Sequence, residues 1–409
     1  MFALTPAQNA QASTYFKGAT NAILRKRPLT AWADVSGRVN RNFQGKDMNW
    51  LIEYMALEAQ PYVPFQQGDF YDVNYHLQMA VQPVFWKLDS GMDITQIMMN
   101  TGPAQLVDLY NDRMRKLAEG MEIRFGKSLY NDVNSTEPGQ GSKYMTGLMT
   151  FAHKSATVGV VTNAHRMAAP DETVIYAGQS IGLGSHGGSW SANLPAASRL
   201  NPILGTDYPD GQADASQRYD VTSPRLYNDM TNQWTNPGAA AANGTWRDNC
   251  LEMLSQADTD LKAFSVDAVM PNVHHSGSLR YQAIKSAMRS AFRYTMNPHG
   301  QSVNLGYPEV LDFEGAALTV DHECPAQFTF SLCEKSFEID FYSGESVGAA
   351  TAEAQELGGE RIVTGGIYVL LGPTRDPRGG AWLFMIFAGG QIRWMPKYIT
   401  IHGDFVNNG

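Results

Sequence analysis

Between Val73 and Gln82 the chain keeps a period of two. Val73, Tyr75, Leu77, Met79 and Val81 are interleaved with Asn74, His76, Gln78, Ala80 and Gln82. That spacing predicts a strand with one apolar face. At about 3.3 Å per residue it is roughly 30 Å long. The earlier run WLIEYMALEA, of ambiguous period, is its expected partner across the turn region PYVPFQQGDFYD, so residues 50–88 read as a long hairpin. A two-stranded ribbon cannot bury its apolar face alone. Cover has to come from elsewhere in the chain or from a neighbour.

The period changes to that of a helix over 102–126. Leu106, Tyr110, Met114, Leu117, Met121 and Phe125 form one stripe, and Asp112–Lys116 and Arg115–Glu119 are i,i+4 ion pairs on another face. Thr101 suits the cap, Pro103 the first turn and Gly126 the end. Residues 127–144 are polar and rich in Asn, Ser and Gly, which marks a boundary. TVIYA reads as a strand. Residues 178–244 read as a long irregular excursion, anchored by Trp190, Leu200, Tyr219, Tyr227 and Trp234. Thr245 and Asp248 match a capping box for the helix WRDNCLEMLSQADTDLKAF. VDAVM is then expected as a short buried strand. It precedes the helix SLRYQAIKSAMRSAFRYTM, whose Lys285, Arg289 and Arg293 read as a solvated face. The last hundred residues are strand-rich: Phe328, Phe330 and Leu332 alternate, as do Phe337, Ile339 and Phe341, and IVTGGIYVLL, AWLFMIFAGGQIRWM and YITIH follow. No repeat at a fixed period is visible.

Composition adds a constraint. Only 17% of the 409 residues are charged, against about 25% in an average soluble protein. Hydrophobic residues at 43% and aromatics at 11% exclude a disordered chain. No apolar stretch of about 20 residues predicts a membrane span, and MFALTPAQNAQAS lacks the order of a signal peptide. Three cysteines, Cys250, Cys324 and Cys333, make no disulfide framework and point to a reducing compartment. The net charge of −9 gives no bulk attraction to nucleic acid. The N-terminal segment differs, with Lys17, Arg25, Lys26, Arg27, Arg38 and Arg41 against the single acid Asp34. It reads either as an arm placed near a polyanion or as a solvated helix end before Pro28.

Chemical motifs are weak. Gly344-Glu345-Ser346-Val347-Gly348 follows FEIDFY, precedes a helical stretch, and is followed by Asp376 and His402 in the order of α/β-hydrolases. That fold needs alternating strands and helices beforehand, which this chain does not offer. Gly178-Gln179-Ser180-Ile181-Gly182 precedes a segment unable to start a helix. The same defect removes Gly182, Gly184 and Gly187 as a dinucleotide fingerprint. Gly126-Lys127-Ser128 ends a helix, unlike a phosphate-binding loop. His274 and His275, being adjacent, diverge on a strand, and Asp321, His322, Glu323 and Cys324 read as a turn before Pro325. Neither set has the spacing of metal ligands. No catalytic, cofactor-binding or metal residue is expected, and no cofactor.

The order of parts is the stronger signal: basic arm, apolar-faced hairpin, long helix, irregular middle with two helices, strand-rich end. This resembles the major capsid protein of tailed bacteriophages with the Hong Kong 97-type fold. The hairpin is similar to that family's extended E-loop. IMMNTGPAQLVDLYNDRMRKLAEGMEIRFGKSLYND is similar to its spine helix and following turn, and YMTGLMTFA to the start of its axial domain. LGYPEVLDFEGAALTVDHECPAQFTFSLCEKSFEIDF resembles a family segment of spaced glycines ending in Asp, and IRWMPKYITI its closing strand. The resemblance implies an α+β fold with five parts: an N-terminal arm (1–46), the hairpin (47–98), a spine-helix part of the peripheral domain (99–144), an axial domain (145–325), and the peripheral sheet with the C-terminal strand (326–409). It implies a non-catalytic protein of the virion, assembled in the host bacterial cytoplasm. Copies of itself would form pentamers and hexamers of an icosahedral shell around double-stranded DNA. The arm would touch that DNA without reading sequence, portal and cement or decoration proteins would be partners, and no membrane would be involved. An encapsulin-type compartment is the rival with the same fold, and a serine hydrolase using Ser346, Asp376 and His402 the rival of another class. Some members weld subunits through a hairpin Lys. No Lys lies between Met48 and Trp86, so no such crosslink is expected. The arm is shorter than the removable scaffolding segment of some members, which points to a separate scaffolding protein or none. Charge is scarcest in the hairpin, the irregular middle and the final strands, where subunit contacts are expected.

Overall fold

The computed structural model describes residues 27–53, 76–93, 103–154, 167–168, 170–171, 173–182, 222–228, 246–264, 269–291, 311–343, 362–365, 368–375 and 382–403. In chain order these form α1 (Pro28–Val35), β1 (Val39–Phe43), β2 (Met48–Glu53), β3 (His76–Val81), β4 (Val84–Met92), α2 (Pro103–Leu129), β5 (Met167–Ala168), β6 (Ile175–Tyr176), β7 (Gln179–Ser180) and β8 (Arg225–Asn228). Then come α3 (Trp246–Phe264), β9 (Val273–Ser276), α4 (Ser278–Ala291), β10 (Leu311–Phe313), β11 (Ala316–Val320), β12 (Thr329–Leu332), β13 (Phe337–Tyr342), β14 (Ile362–Gly365), β15 (Tyr368–Arg375), β16 (Trp382–Trp394) and β17 (Thr400–Gly403). The helical stretch before Pro28, the hairpin turn, the side chains of Leu106, Tyr110, Asp112 and Met114, most of the irregular excursion, and Arg289 and Arg293 lie outside the described residues. The chain divides into two units, each assembled from three separated segments.

The first unit comprises Met1–Lys46, Gln82–Gly147 and Glu338–Arg393. Its sheet runs β1-β13-β16-β15-β14, with β4 also paired to β16. Pro28 opens α1 at a position where its missing N–H costs no hydrogen bond. β1 lies parallel to β13, Val39 beside Ile339. Sequence reading assigned 84–88 to the hairpin; instead β4 runs antiparallel to β16 along its whole length. Phe85 sits opposite Gly389 there. A Cβ on Gly389 would lie 2.6 Å from the Phe85 ring, so the glycine makes room for it. That ring stacks on Tyr342 at 5.3 Å.

Helix α2 has 27 residues, about 40 Å at 1.5 Å each. Of the expected stripe, Leu117, Met121 and Phe125 are buried. Phe125 meets Phe341 at 5.4 Å and Trp86 at 6.4 Å, and Arg115 and Glu119 pair at 3.8 Å. The turn after the helix is organised by Asn131. Its amide donates to the carbonyls of Gly141 (3.1 Å) and Met145 (2.9 Å), and its Oδ1 accepts from Gly141 N–H at 3.1 Å. Gly147 runs against this turn so closely that a Cβ would sit 2.1 Å from Asn131 N and 2.7 Å from the Ser128 carbonyl.

The second unit comprises Asp47–Val81, Leu148–Phe337 and Trp394–Gly409. Its main sheet has seven strands in the order β10-β11-β9-β12-β17-β8-β5. Helices α3 and α4 supply one side of its core, where Trp246, Met253, Leu254, Tyr281 and Ile284 cluster with Tyr227, Leu311, Phe313 and Leu318. Of the strand expected at VDAVM, residues 266–268 lie outside the described residues, Val269 and Met270 are not in a strand, and β9 begins only at Val273. Pro271, which has no N–H for a ladder, stands between. Of the hairpin, β2 and β3 pair antiparallel from Met48–Val81 to Glu53–His76. Trp50, Ile52 and Met79 are buried on one face, and Leu51, 64% exposed, points to the other. Cover for this base comes from the same unit: Tyr176 of β6 packs 6.2 Å from Trp50, and Ala80 N–H donates to the Ala177 carbonyl at 3.4 Å.

Two outcomes follow from this packing. Gly147→Ala should lower stability by about 1–3 kcal/mol, because the added methyl meets backbone rather than a movable side chain; chemical denaturation followed by tryptophan fluorescence reads it. Cys250, Cys324 and Cys333 are all free and buried, and burial pushes the Cys333 thiol up. Ellman's reagent should therefore react with none of the three in the folded chain and with all three once it is unfolded.

Candidate functional site

The densest chemistry among the described residues lies inside the second unit. Asp258 projects from α3, His274 from β9, Ser331 from β12 and His402 from β17. Asp258 Oδ2 is 3.3 Å from His274 Nε2, His274 Nδ1 is 2.7 Å from Ser331 Oγ, and Ser331 Oγ is 3.2 Å from His402 Nε2. Strand pairing produces the row. β12 lies between β9 and β17, with Ser331 beside His274 and two positions from His402 in register, on the same face. Tyr227 stacks on the His402 ring at 5.6 Å, and Trp246 lies 6.0 Å away.

The proton positions follow from the one end that lacks a partner. His402 Nδ1 has no hydrogen-bond partner. A bare ring nitrogen is cheaper to bury unpaired than an N–H, so the proton belongs on Nε2. His402 Nε2–H then donates to Ser331 Oγ, the Ser331 hydroxyl donates to His274 Nδ1, and His274 Nε2–H points to the Asp258 carboxylate. All three donor directions agree, ending on the acceptor with most capacity.

Carboxylate, imidazole and hydroxyl in this order are the parts of a hydrolytic triad. Here His274, Ser331 and His402 are 0% exposed and Asp258 1%, so no carbonyl substrate reaches the hydroxyl. Burial pushes His402 well below the usual imidazole range, with His274 and Arg280 adding in the same direction. His275, on the opposite sheet face, meets Thr319 Oγ1 at 2.6 Å and is lowered to about 3, by burial first and His274 second.

Of the sequence's hydrolase residues, His402 is thus committed to Ser331, while Ser346 and Asp376 lie outside the described residues. Ser180 of the other Ser motif is in β7 and accepts from Gly182 N–H at 3.2 Å. It follows a two-residue turn in which Ala177 and Gly178 have φ of 51° and 82°, a hairpin with no helix opening behind it. His274 and His275 diverge as expected. Asp321 accepts from Glu323 N–H at 3.1 Å in a turn before Pro325. The row of four escaped sequence reading because its members are spread over 144 positions. Only the pairing of β9, β12 and β17 unites them.

Part of the N-terminal basic charge is already engaged. Arg41 is ion-paired with Asp34, and the guanidinium of Arg27 lies where a Cβ on Gly126 would meet it at 2.8 Å. Lys17, Arg25 and Lys26 lie outside the described residues.

No family model matches the chain, and no curated protein matches it in sequence. Solved structures do. Against the capsid asymmetric unit of cyanophage A-1(L), identity is 12%, coverage is 90% of this chain and 91% of the other, and the TM-score is 0.52. The capsid of a native GTA particle is 11% identical, with 91% and 89% covered and a TM-score of 0.44. The capsid of the myovirus XM1 is 9% identical, with 91% of each chain covered and a TM-score of 0.43. The assignment of fold rests on the first of these. The chain has the α+β fold of Hong Kong 97-type phage capsid proteins.

Proposed function

We propose that this chain is the major capsid protein of a double-stranded DNA bacteriophage, a structural and non-catalytic shell subunit. The observation that carries the reading is the likeness to the cyanophage A-1(L) capsid unit along nine-tenths of both chains. The sequence supports it from another side. A large chain with 17% charged residues suits a subunit whose lateral surfaces are covered by neighbours, since interface cores are depleted of charge.

In this reading residues 1–46 are the inner arm, and the hairpin that reaches a neighbour lies within 47–98 ahead of β4, which belongs to the sheet. Residues 99–144 and 326–409 supply the peripheral domain, and 145–325 the axial domain. Copies assemble into pentamers and hexamers of an icosahedral shell in the host cytoplasm, with portal, cement and separate scaffolding proteins as partners. Lys17, Arg25 and Lys26 offset phosphate charge on the packaged DNA without reading its sequence.

Expression followed by size-exclusion chromatography and negative-stain imaging tests the assembly. Closed shells of several hundred ångström are expected, and a monomer or dimer overturns the proposal. Particles of about 200–300 Å filled with protein cargo would favour the encapsulin-type compartment, sizes implied by the resemblance. Boiled particles should run as a single band at the chain mass, because no Lys lies between Met48 and Trp86; a ladder of higher bands would refute this. DNA retained by purified shells should fall with salt and fall further on deletion of residues 1–26. Unchanged retention after the deletion removes the arm as the DNA contact.

A further inference from the structure

We propose that the seven-stranded sheet of the second unit carries an acid-release latch: buried uncharged imidazoles on its central strands hold it together at neutral pH and open it as pH falls. The geometry makes the case. The row Asp258–His274–Ser331–His402 ties α3 to β9, β12 and β17 by side-chain contacts alone. Besides His274 Nε2, which makes only a 3.3 Å ion contact with Asp258 Oδ2, the row leaves His402 Nδ1 without a hydrogen-bond partner among the described residues. A proton added there makes a buried cation with no acceptor beside it. On the other face, His275 meets Thr319 through Nδ1, while its Nε2 lacks a partner and is equally unable to house a second proton.

The surroundings offer little to offset that charge. Around His402 are Tyr227 from β8, Trp246 from α3 and Ser331 from β12, with His274 from β9 and Arg280 from α4 acting on it electrostatically. Arg225 lies two positions along β8 on the same face. All are buried. The Asp258 carboxylate contacts His274 through Oδ2 rather than His402, and Arg280 repels an imidazolium. Arg280 is held over the Trp246 ring, 4.3 Å from its centroid. Facing His275 are Thr319 from β11 and Phe330 from β12, with Ile401 of β17 beside Phe330. The turn after β11 adds Asp321, whose Oδ1 accepts from Glu323 N–H, and Cys324, whose thiol is turned to the carbonyls of Pro325 and Phe328.

The direction is fixed by linkage. Both folded-state values lie below the ordinary imidazole value near 6.5. Above that value both rings are neutral in either state and the stability is fully present. As pH drops below it the opened chain takes up protons that the folded chain refuses. Each ring then shifts the equilibrium toward opening about tenfold per pH unit. For His275 the loss continues down to about pH 3. With His402 alongside, the two together give about a hundredfold per unit over the range in which both are refused.

The experiment uses the full chain in whatever assembly it forms. Hydrogen–deuterium exchange at the imidazole C2 carbon, read by mass spectrometry across pH 4–8, titrates each histidine in place. His275 and His402 are expected to exchange slowly and to show no midpoint above pH 5, whereas in denaturant both titrate near 6.5 as free imidazoles do. A midpoint near 6.5 for either ring in the folded chain overturns the latch. In parallel, the unfolding constant is measured by urea titration at each pH. His402→Gln and His275→Gln should each remove one factor of ten per pH unit from the acid slope, and slopes unchanged in both overturn it. If either variant fails to fold, the exchange measurement on the unaltered chain still decides.

Discussion

A sheet covered on both faces has no water to satisfy its polar side chains, so each must find a partner within the fold. That constraint governs the second unit. Strands β9, β12 and β17 are buried at every position, yet His274, His275, Ser276, Thr329, Ser331, Thr400 and His402 occupy most of them. An ordinary buried strand would be filled with Val, Ile and Leu. Here register supplies partners for most of them, while Thr400 Oγ1 and one nitrogen of each imidazole have no hydrogen-bond partner among the described residues. Ser276 faces Thr329 at 3.1 Å, Ser331 is shared by two imidazoles, and Thr319 serves His275. A one-residue slip of β12 would turn Ser331 to the wrong face and strand both rings. The polar row thus fixes the alignment that the apolar core, packed by α3 and α4, could not fix by shape alone.

The first unit solves a different problem by other means. Its sheet needs no such row, because aromatic rings do the sealing. Phe125 and Trp86 meet between α2 and β4, and Phe85 closes over Gly389 against Tyr342. Buried charge enters as a clamp: Arg393 holds Asp340, which is fully buried, and Glu338 at 3.0 Å, while Asn40 of β1 donates to Asp340 at 2.9 Å. The neighbouring strands β1, β13 and β16 are joined through that one carboxylate.

Much of this was legible in the sequence wherever one periodicity ran uninterrupted. The alternation through Leu77 and Met79, the stripe Leu117–Met121–Phe125 and the alternating phenylalanines of the last hundred residues each correspond to an element with the expected face buried. β4 was not legible as a sheet strand. Its outward positions include Phe85, which is 66% exposed although it stacks on Tyr342, so the alternation is lost. Val269 and Met270 are apolar yet outside any strand, and composition does not reveal that Pro271 delays the ladder. The buried row could not be read at all. His274 and His402 each look like an isolated polar residue, and pairing across more than a hundred positions leaves no local trace.

The parallel pairing of β1 with β13 has a consequence for the birth of the molecule. Asn40 and Asp340 are 300 residues apart in sequence. On a ribosome adding about 5–20 residues per second, β1 leaves the tunnel roughly 15–60 s before its partner exists. Throughout that interval the nascent chain holds an unpaired strand with nothing to close against, and the first unit cannot form its sheet until the chain is nearly complete. Its folding is therefore an event of the finished polypeptide, timed by translation itself, and a slower ribosome lengthens the exposure in direct proportion.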